Sequence, residues 1–215
     1  MNGKSLQRRG LMFVLSSPSG AGKTTITREL LKRNDDLTIS ISATTRPRRA
    51  GEVHAQDYFF VSTDEFREMV DSGGMMEHAK VFGNYYGTPT EPVESALATG
   101  KDVIFDIDWQ GTQQLAEIAR SDLVTCFILP PSKQELEKRL RHRSRDTNES
   151  EREIRGRMDK ASDEMSHYLE YDYVLINEDI EYTIDQAQLI LDAERLKRDR
   201  KVGLSDFVRQ LKDGA

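Results

Sequence analysis

The chain has 215 residues, a formal net charge of -6 and a pI near 5.4, with 37% hydrophobic and 32% charged residues. That length suits one compact domain with appended lobes, or at most two small domains, and is ample for a buried core without a metal or disulfide staple. The acidic balance argues against general nucleic-acid binding, so local basic clusters call for a local explanation such as a phosphate-bearing ligand.

Cys126 is the only cysteine and lies inside the apolar run Leu123 to Leu129, which excludes a disulfide framework and a thiolate zinc site within one chain. His54, His78, His142 and His167 are scattered, without metal-ligand spacing. The apolar run near the amino terminus, Leu11 to Leu15, is too short for a signal segment or a membrane span, and no other stretch approaches membrane length. A reducing compartment fits, and the expected location is the cytoplasm.

In chain order, Leu11 to Leu15 is continuously apolar and bounded by turn formers, the pattern of a strand buried on both faces. A glycine-containing loop follows, and Thr24 to Lys32 reads as a helix with Ile26, Leu30 and Leu31 at helical spacing. Alternation over Thr38 to Ser42 predicts a half-buried strand, and Tyr58 to Val61 another. Ser62 or Thr63, ahead of Asp64 and Glu65, caps a helix reaching Ser72. The turn formers of Gly83 to Pro92 predict a loop with at most one short strand. Ser42 to about Pro92 reads as an inserted lobe.

Further along, Val103 to Phe105, Cys126 to Leu129 and Tyr173 to Ile176 are apolar strands separated by helical patterns, which implies an open parallel α/β sheet. Ser132 to Lys160 is helix-like and dense in both charge signs, with a break expected around Ser144 to Asn148. Ile180, Ile184, Ala187 and Leu191 share a helical face, and a basic helical extension is expected over 195–215.

Ser17-Pro18-Ser19-Gly20-Ala21-Gly22-Lys23-Thr24 stands between the first strand and its helix, where a phosphate-binding loop belongs. Its glycines let successive N–H groups turn toward a polyphosphate, Lys23 reaches the outer phosphates, and the Thr24 hydroxyl can ligate Mg²⁺. Ser17 replaces the first glycine of the usual pattern. The loop alone leaves a small-molecule kinase, a GTPase, an ATPase motor and a nucleotide switch open. Asp106, closing the strand that begins at Val103, is the candidate second holder of Mg²⁺, directly or through water. Arg46, Arg48 and Arg49 put guanidinium groups on one loop, a set suited to a phosphate dianion, although a solvated basic loop has the same composition. Tyr58, Tyr85 and Tyr86 could each donate a phenolic hydrogen bond.

Together with Thr44 to Glu52, Gly83 to Thr88, Asp106 to Gly111, Pro130-Pro131-Ser132 and Tyr173 to Asn177, the phosphate loop makes an ordered set that resembles the guanylate kinase family of the bacterial type. The resemblance covers residues 10–194. It implies a P-loop parallel-sheet core with an inserted GMP-binding lobe at 42–92 and a helical lid at 132–160, and an enzyme moving the γ-phosphoryl group of ATP to GMP or dGMP in purine nucleotide metabolism and GMP recycling. By residue matching, Arg46, Arg49, Tyr58 and Tyr86 would hold the GMP phosphate, Ser42, Glu77 and Thr88 would face guanine, and Glu52, Asp106 and Asp108 belong to the same site. Arg139, Arg143 and Arg157 match the lid arginines that contact phosphate, and Asn177 matches a position near the donor adenine. Glu77 by itself reads as a surface carboxylate, but a carboxylate can accept from guanine N1–H and N2–H₂ together, a donor pair adenine lacks. The implied partners are ATP, GMP and Mg²⁺, without nucleic acid or membrane, and with oligomeric state left open. A kinase for AMP, UMP or dTMP would use the same loop and arginines, with Glu77 and Ser42 arguing against it. A catalytically silent domain of the same fold, binding phosphorylated proteins, is disfavoured by the intact Lys23, Thr24 and Asp106.

Overall fold

The computed structural model describes residues 6–81, 83–147 and 150–214, with the side chains of 81 and 143–147 outside the described set. The first strand, β1 (Met12–Ser16), is buried along its whole length. Leu11, Phe13 and Leu15 point to one face of the sheet and pack with Ile26, Leu30, Ile184, Ala187 and Leu191. Met12 and Val14 point to the other and pack with Val93, Leu97, Phe105 and Leu115. A strand covered on both faces has no polar alternation to display, which is why its sequence is a continuous apolar run. Each of these large side chains contributes roughly 1.5–3 kcal/mol by leaving water.

Around β1 the core sheet is wholly parallel, with strand order β2 (Leu37–Ile39), β7 (Asp102–Asp106), β1, β8 (Leu123–Leu129), β9 (Tyr173–Ile176). Helices α1 (Lys23–Arg33) and α7 (Ile180–Arg195) cover one face, and α3 (Thr90–Ala98) and α4 (Trp109–Ala119) the other. This is the α/β parallel-sheet core expected from the sequence. Cys126 on β8 is fully buried, and burial pushes its thiol up to about 12.

Between β2 and α3 the chain builds a second sheet of four strands, ordered β4 (Phe59–Phe60), β3 (Ala43–Thr44), β6 (Asn84–Pro89), β5 (Met75–Val81), with helix α2 (Thr63–Asp71) against it. Ser62 caps α2 in a reciprocal box with Glu65, as its sequence suggests. Two expectations need correction here. The strand predicted over Thr38 to Ser42 is not one strand: β2 stops at Ile39, Ser40 N–H still donates to Ile104 C=O at 2.9 Å, and the chain then crosses to the other sheet as β3. Gly83 to Pro92 is not mainly loop, because Asn84–Pro89 is paired on both sides, to β3 and β5.

After β8, α5 (Lys133–Thr147) and α6 (Glu151–Ser166) form a two-helix arm around its own small core of Leu136, Leu140, Ile154 and Ala161. The arm therefore runs beyond Lys160. Of the break expected around Ser144 to Asn148, the backbone through Thr147 is helical and Asn148 lies outside the described residues.

The carboxy-terminal basic stretch is not a continuation of α7. That helix ends at Arg195, a short 3-10 turn covers Arg198–Arg200, and α8 (Leu204–Asp213) starts after Gly203 at φ 76°. The arginines explain the interruption. Asp102 is fully buried and accepts from Leu11 N–H at 2.9 Å and from Arg195 Nε at 2.7 Å, with Arg8 on its other side. Arg200 is 4% exposed and donates to Glu194 C=O at 2.9 Å. No described helix is long and apolar enough to cross a membrane.

Replacing Asp102 strands two partly buried guanidinium groups, so Asp102→Asn should cost about 3 kcal/mol of folding free energy, read from urea unfolding. A loss within experimental error of zero would mean that the remaining partners, Asp192 and Asn34 for Arg195 and the Gly100 carbonyl for Arg8, hold the arginines without Asp102.

Candidate active site

Parallel strands in an α/β sheet deliver their carboxyl ends, and the loops after them, to one edge. Here that edge carries the loop after β1, Asp106 at the end of β7 and the arm after β8. The loop 17–22 turns back on itself through Ala21 N–H to Pro18 C=O at 3.1 Å and leads directly into α1, whose first turn has no acidic residue to oppose an anion. Gly20 and Gly22 both stand at positive φ, 93° and 108°. At position 22 a Cβ would lie 2.3 Å from Asn177 Nδ2, so any other residue would both strain the backbone and push Asn177 aside.

That contact shows what Asn177 does. The sequence places it near the donor nucleotide, but its side chain is buried and already engaged: Nδ2 donates to Ala21 C=O at 2.7 Å and Oδ1 accepts from Thr183 Oγ at 3.2 Å. It braces the loop from beneath. Arg139 reaches the same spot, donating to Asn177 C=O at 3.2 Å while Glu135 holds its Nε at 3.2 Å.

A cleft of about 530 Å³ opens above the loop, lined by Ser17, Ser19, Gly20, Gly22, Lys23, Thr24, Asp106, Asp108, Arg139 and Glu164, among others. Lys23 is ion-paired with Asp106, and Arg157 donates to Ser19 Oγ at 3.4 Å. Asp108 caps α4, accepting from the N–H groups of Gln110 at 3.1 Å and Gly111 at 3.2 Å. The side chain of Arg143, the third arm arginine named from the sequence, lies outside the described residues.

The second sheet gathers two further groups. Arg46 makes a two-pronged pair with Glu52 at 2.7 and 2.9 Å, and Arg49 N–H donates to the same carboxylate at 2.7 Å. These donors hold the Glu52 carboxyl down to about 2, and the pair and a Tyr86 hydrogen bond raise the Arg46 pKa. The Arg46 guanidinium lies 5.3 Å from the centre of the Tyr58 ring, which is 6.1 Å from that of Tyr86. Burial pushes the Tyr58 phenol up. Arg49 is exposed, and Ser42 enters β3 with its C=O accepting from Phe59 N–H.

Glu77 is the other centre. It is 6% exposed and faces its cross-strand neighbour Thr88, whose hydroxyl donates at 2.6 Å. Helix α4 closes over it: Gln114 exchanges two hydrogen bonds with the His78 backbone, and a Cβ on Gly111 would meet Glu77 Oε2 at 3.0 Å. Burial, reinforced by Asp108, raises the carboxyl pKa, with Thr88 pulling the other way.

The family model described as guanylate kinase matches residues 9–194. The chain belongs to the guanylate kinase family. It is 58% identical to the guanylate kinase of Paramagnetospirillum magneticum over 98% of this chain and 97% of that protein. It is also 58% identical to that of Nitrobacter hamburgensis, over 96% and 93%. The crystal structure of guanylate kinase from Anaplasma phagocytophilum superposes with a TM-score of 0.75 at 39% identity, covering 94% of this chain and 95% of that one.

Sequence reasoning missed Glu164, which lies beyond the arm as bounded from the sequence and lines the cleft from α6, and it gave Gly111 a place in a motif without its contact with Glu77.

The raised Glu77 pKa means that folding favours its protonated form, a stabilisation fully present below the ordinary glutamate pKa and lost as pH rises through the folded value. Free of ligand, Glu77→Gln should therefore melt higher than the parent at pH 7, and the gap should close as pH falls toward 4, which thermal unfolding across that range would show.

Proposed function

We propose that the cleft over the phosphate loop and the second sheet are the two halves of the site in which this guanylate kinase passes the γ-phosphoryl group of ATP to GMP, giving ADP and GDP. The observation that carries the reading is the buried, Thr88-bonded Glu77 within a fold whose phosphate loop is intact. A carboxylate kept dry is costly unless a ligand repays it, and guanine offers two parallel N–H donors where adenine offers no such pair. Thr88 and Ser42 complete that face.

On the acceptor side, Arg46, Arg49, Tyr58 and Tyr86 hold the GMP phosphate. Glu52 acts through Arg46, keeping its guanidinium extended and oriented, and Asp108 shapes the floor by fixing the start of α4. On the donor side, the N–H groups of 17–24 and the Lys23 ammonium take the outer phosphates of ATP, with Asn177 supporting the loop. Thr24 and Asp106 present oxygen donors in one cleft, a set that suits a hard cation taking its remaining ligands from phosphate and water. Magnesium bound there supplies charge neutralisation for the polyphosphate.

The attacking oxygen belongs to the GMP phosphate and is already ionised at neutral pH, so no general base is needed. Residues of this chain contribute alignment and charge. Arg139, Arg143 and Arg157 on the arm would gain charge-assisted hydrogen bonds to the transferring group when the arm closes, which also expels water that would otherwise hydrolyse ATP. The cytoplasm, reducing and supplied with both nucleotides, is the compartment that fits.

The test is ADP release with ATP, Mg²⁺ and a panel of monophosphates. GMP should be the preferred acceptor; equal turnover of AMP would reject the assignment of Glu77. Removing the Lys23 ammonium (Lys23→Ala) should cost about 10²-fold or more in turnover in a protein that still folds. Glu77→Gln should lower the ratio of kcat/KM for GMP to that for AMP, because an amide offers one acceptor oxygen and adds an unwanted donor.

A further inference from the structure

Glu77 stands on a strand that sheet pairing alone does not hold in place. β5 is the last strand of the second sheet, paired to β6, and its register shifts between Met75 and Glu77. A shift of that kind loosens the link between position in the strand and the face to which a side chain points. What closes the open edge is α4. His78 N–H donates to Gln114 Oε1 at 2.9 Å, and Gln114 Nε2 donates to His78 C=O at 3.0 Å. A carboxamide carries the same donor and acceptor pair as a peptide unit, so Gln114 serves the edge of β5 as one residue of a neighbouring strand would. Three residues earlier, on the same face of the helix, is Gly111, where a Cβ would meet Glu77 Oε2 at 3.0 Å. The other carboxylate oxygen, Oε1, accepts from the Thr88 hydroxyl at 2.6 Å.

We propose that Gln114 is a positioning residue for base selection: by gripping the His78 backbone it fixes the direction in which the adjacent Glu77 carboxylate is presented to guanine. The proposal rests on the reading of Glu77 as the guanine acceptor. Two parallel N–H donors are met by one carboxylate only when both oxygens lie close to the plane of the base, because hydrogen bonds weaken steeply off line. Thr88 fixes one end of the carboxylate, and the backbone on which the side chain stands has to fix the rest. With the edge of β5 released, Glu77 would keep its Thr88 bond, but Oε2 would no longer be held beside Gly111 and water could reach it. Gln114 acts through Glu77 alone, since the His78 backbone is what it holds. Neither Gln114 nor His78 is among the residues lining the donor cleft, so the effect belongs to the acceptor side.

Gln114→Met keeps the length of the side chain and removes both hydrogen bonds, whereas Gln114→Glu keeps an acceptor for His78 N–H and sets two acceptors face to face at His78 C=O. In steady-state kinetics Gln114→Met should raise KM for GMP about 10-fold, the order expected when two neutral hydrogen bonds no longer serve binding, with KM for ATP within about 2-fold of the parent. The ratio of kcat/KM for GMP to that for AMP should fall with it. Gln114→Glu should lie between the parent and Gln114→Met, and it carries the test if Gln114→Met does not fold. Burial raises the Glu77 pKa, so in the nucleotide-free protein carbon-13 NMR of its carboxyl should show the titration midpoint moving down toward the ordinary glutamate value in either variant. A Gln114 that only stabilises the fold would lower the melting temperature and leave the GMP-to-AMP ratio and the Glu77 titration where they are, which would overturn the proposal. Glu77→Gln is measured in the same assay. If it too leaves the ratio unchanged, the reading of Glu77 is wrong and the role of Gln114 goes with it; if it lowers the ratio and the Gln114 variants do not, only the clamp is rejected.

Discussion

A phosphate loop has to keep several backbone N–H groups unpaired and aimed at solvent, which leaves it without the internal hydrogen bonds that hold ordinary turns in shape. In this enzyme the shape comes from outside. Asn177, arriving from the far end of the parallel sheet, is pressed so closely under Gly22 that no side chain fits between them, and it takes the Ala21 carbonyl. Because Asn177 follows β9 directly and its N–H is paired to Leu129 C=O, the loop inherits the rigidity of β8 and β9. Arg139 is hung from the same residue. The phosphate loop, the sheet and the first helix of the arm thus share one anchoring point.

Charge at the site is organised by pairing before any nucleotide arrives. Lys23 rests against Asp106 and Arg46 against Glu52. Left alone, these cations would repel one another and sample many rotamers, at a cost in order that each ligand would have to meet. Held by carboxylates, Lys23 and Arg46 each start from one fixed partner instead of a spread of rotamers. The net charge of -6 is compatible with anionic substrates for the same reason, since what a nucleotide meets is the local field of the cleft.

The core was legible because burial writes itself into sequence as apolar runs: β1, β7 and β8 are covered on both faces, and β9 at the sheet edge carries an apolar run although Val174 and Ile176 are exposed. The second sheet was not. In β5 the pairing register shifts between Met75 and Glu77, so that Met76 and Glu77, neighbours in sequence, are both buried and the alternation of a regular strand is lost. In β6, Asn, Gly, Thr and Pro look like a loop; partners on both sides supply what propensity does not. The carboxy-terminal arginines were misread for a related reason: a basic stretch looks solvated until the buried carboxylates of Asp102 and Glu194 are seen opposite it. Of the site, the loop and the arginines stood out by residue type. Asn177 was found by its place in the motif, while its work under the loop depends on β9 lying beside β8, which no local pattern states.

The solitary thiol of Cys126 bears on how such an enzyme can be watched. It is shut inside β8 between apolar neighbours, and burial pushes its thiol up to about 12, so alkylating and maleimide reagents meet a shielded thiol at neutral pH. A cysteine introduced on the exposed face of α6 or of α2 would thus be the one reactive thiol in the molecule, and a fluorophore or spin label could be placed on either helix without first stripping the protein of its native cysteine.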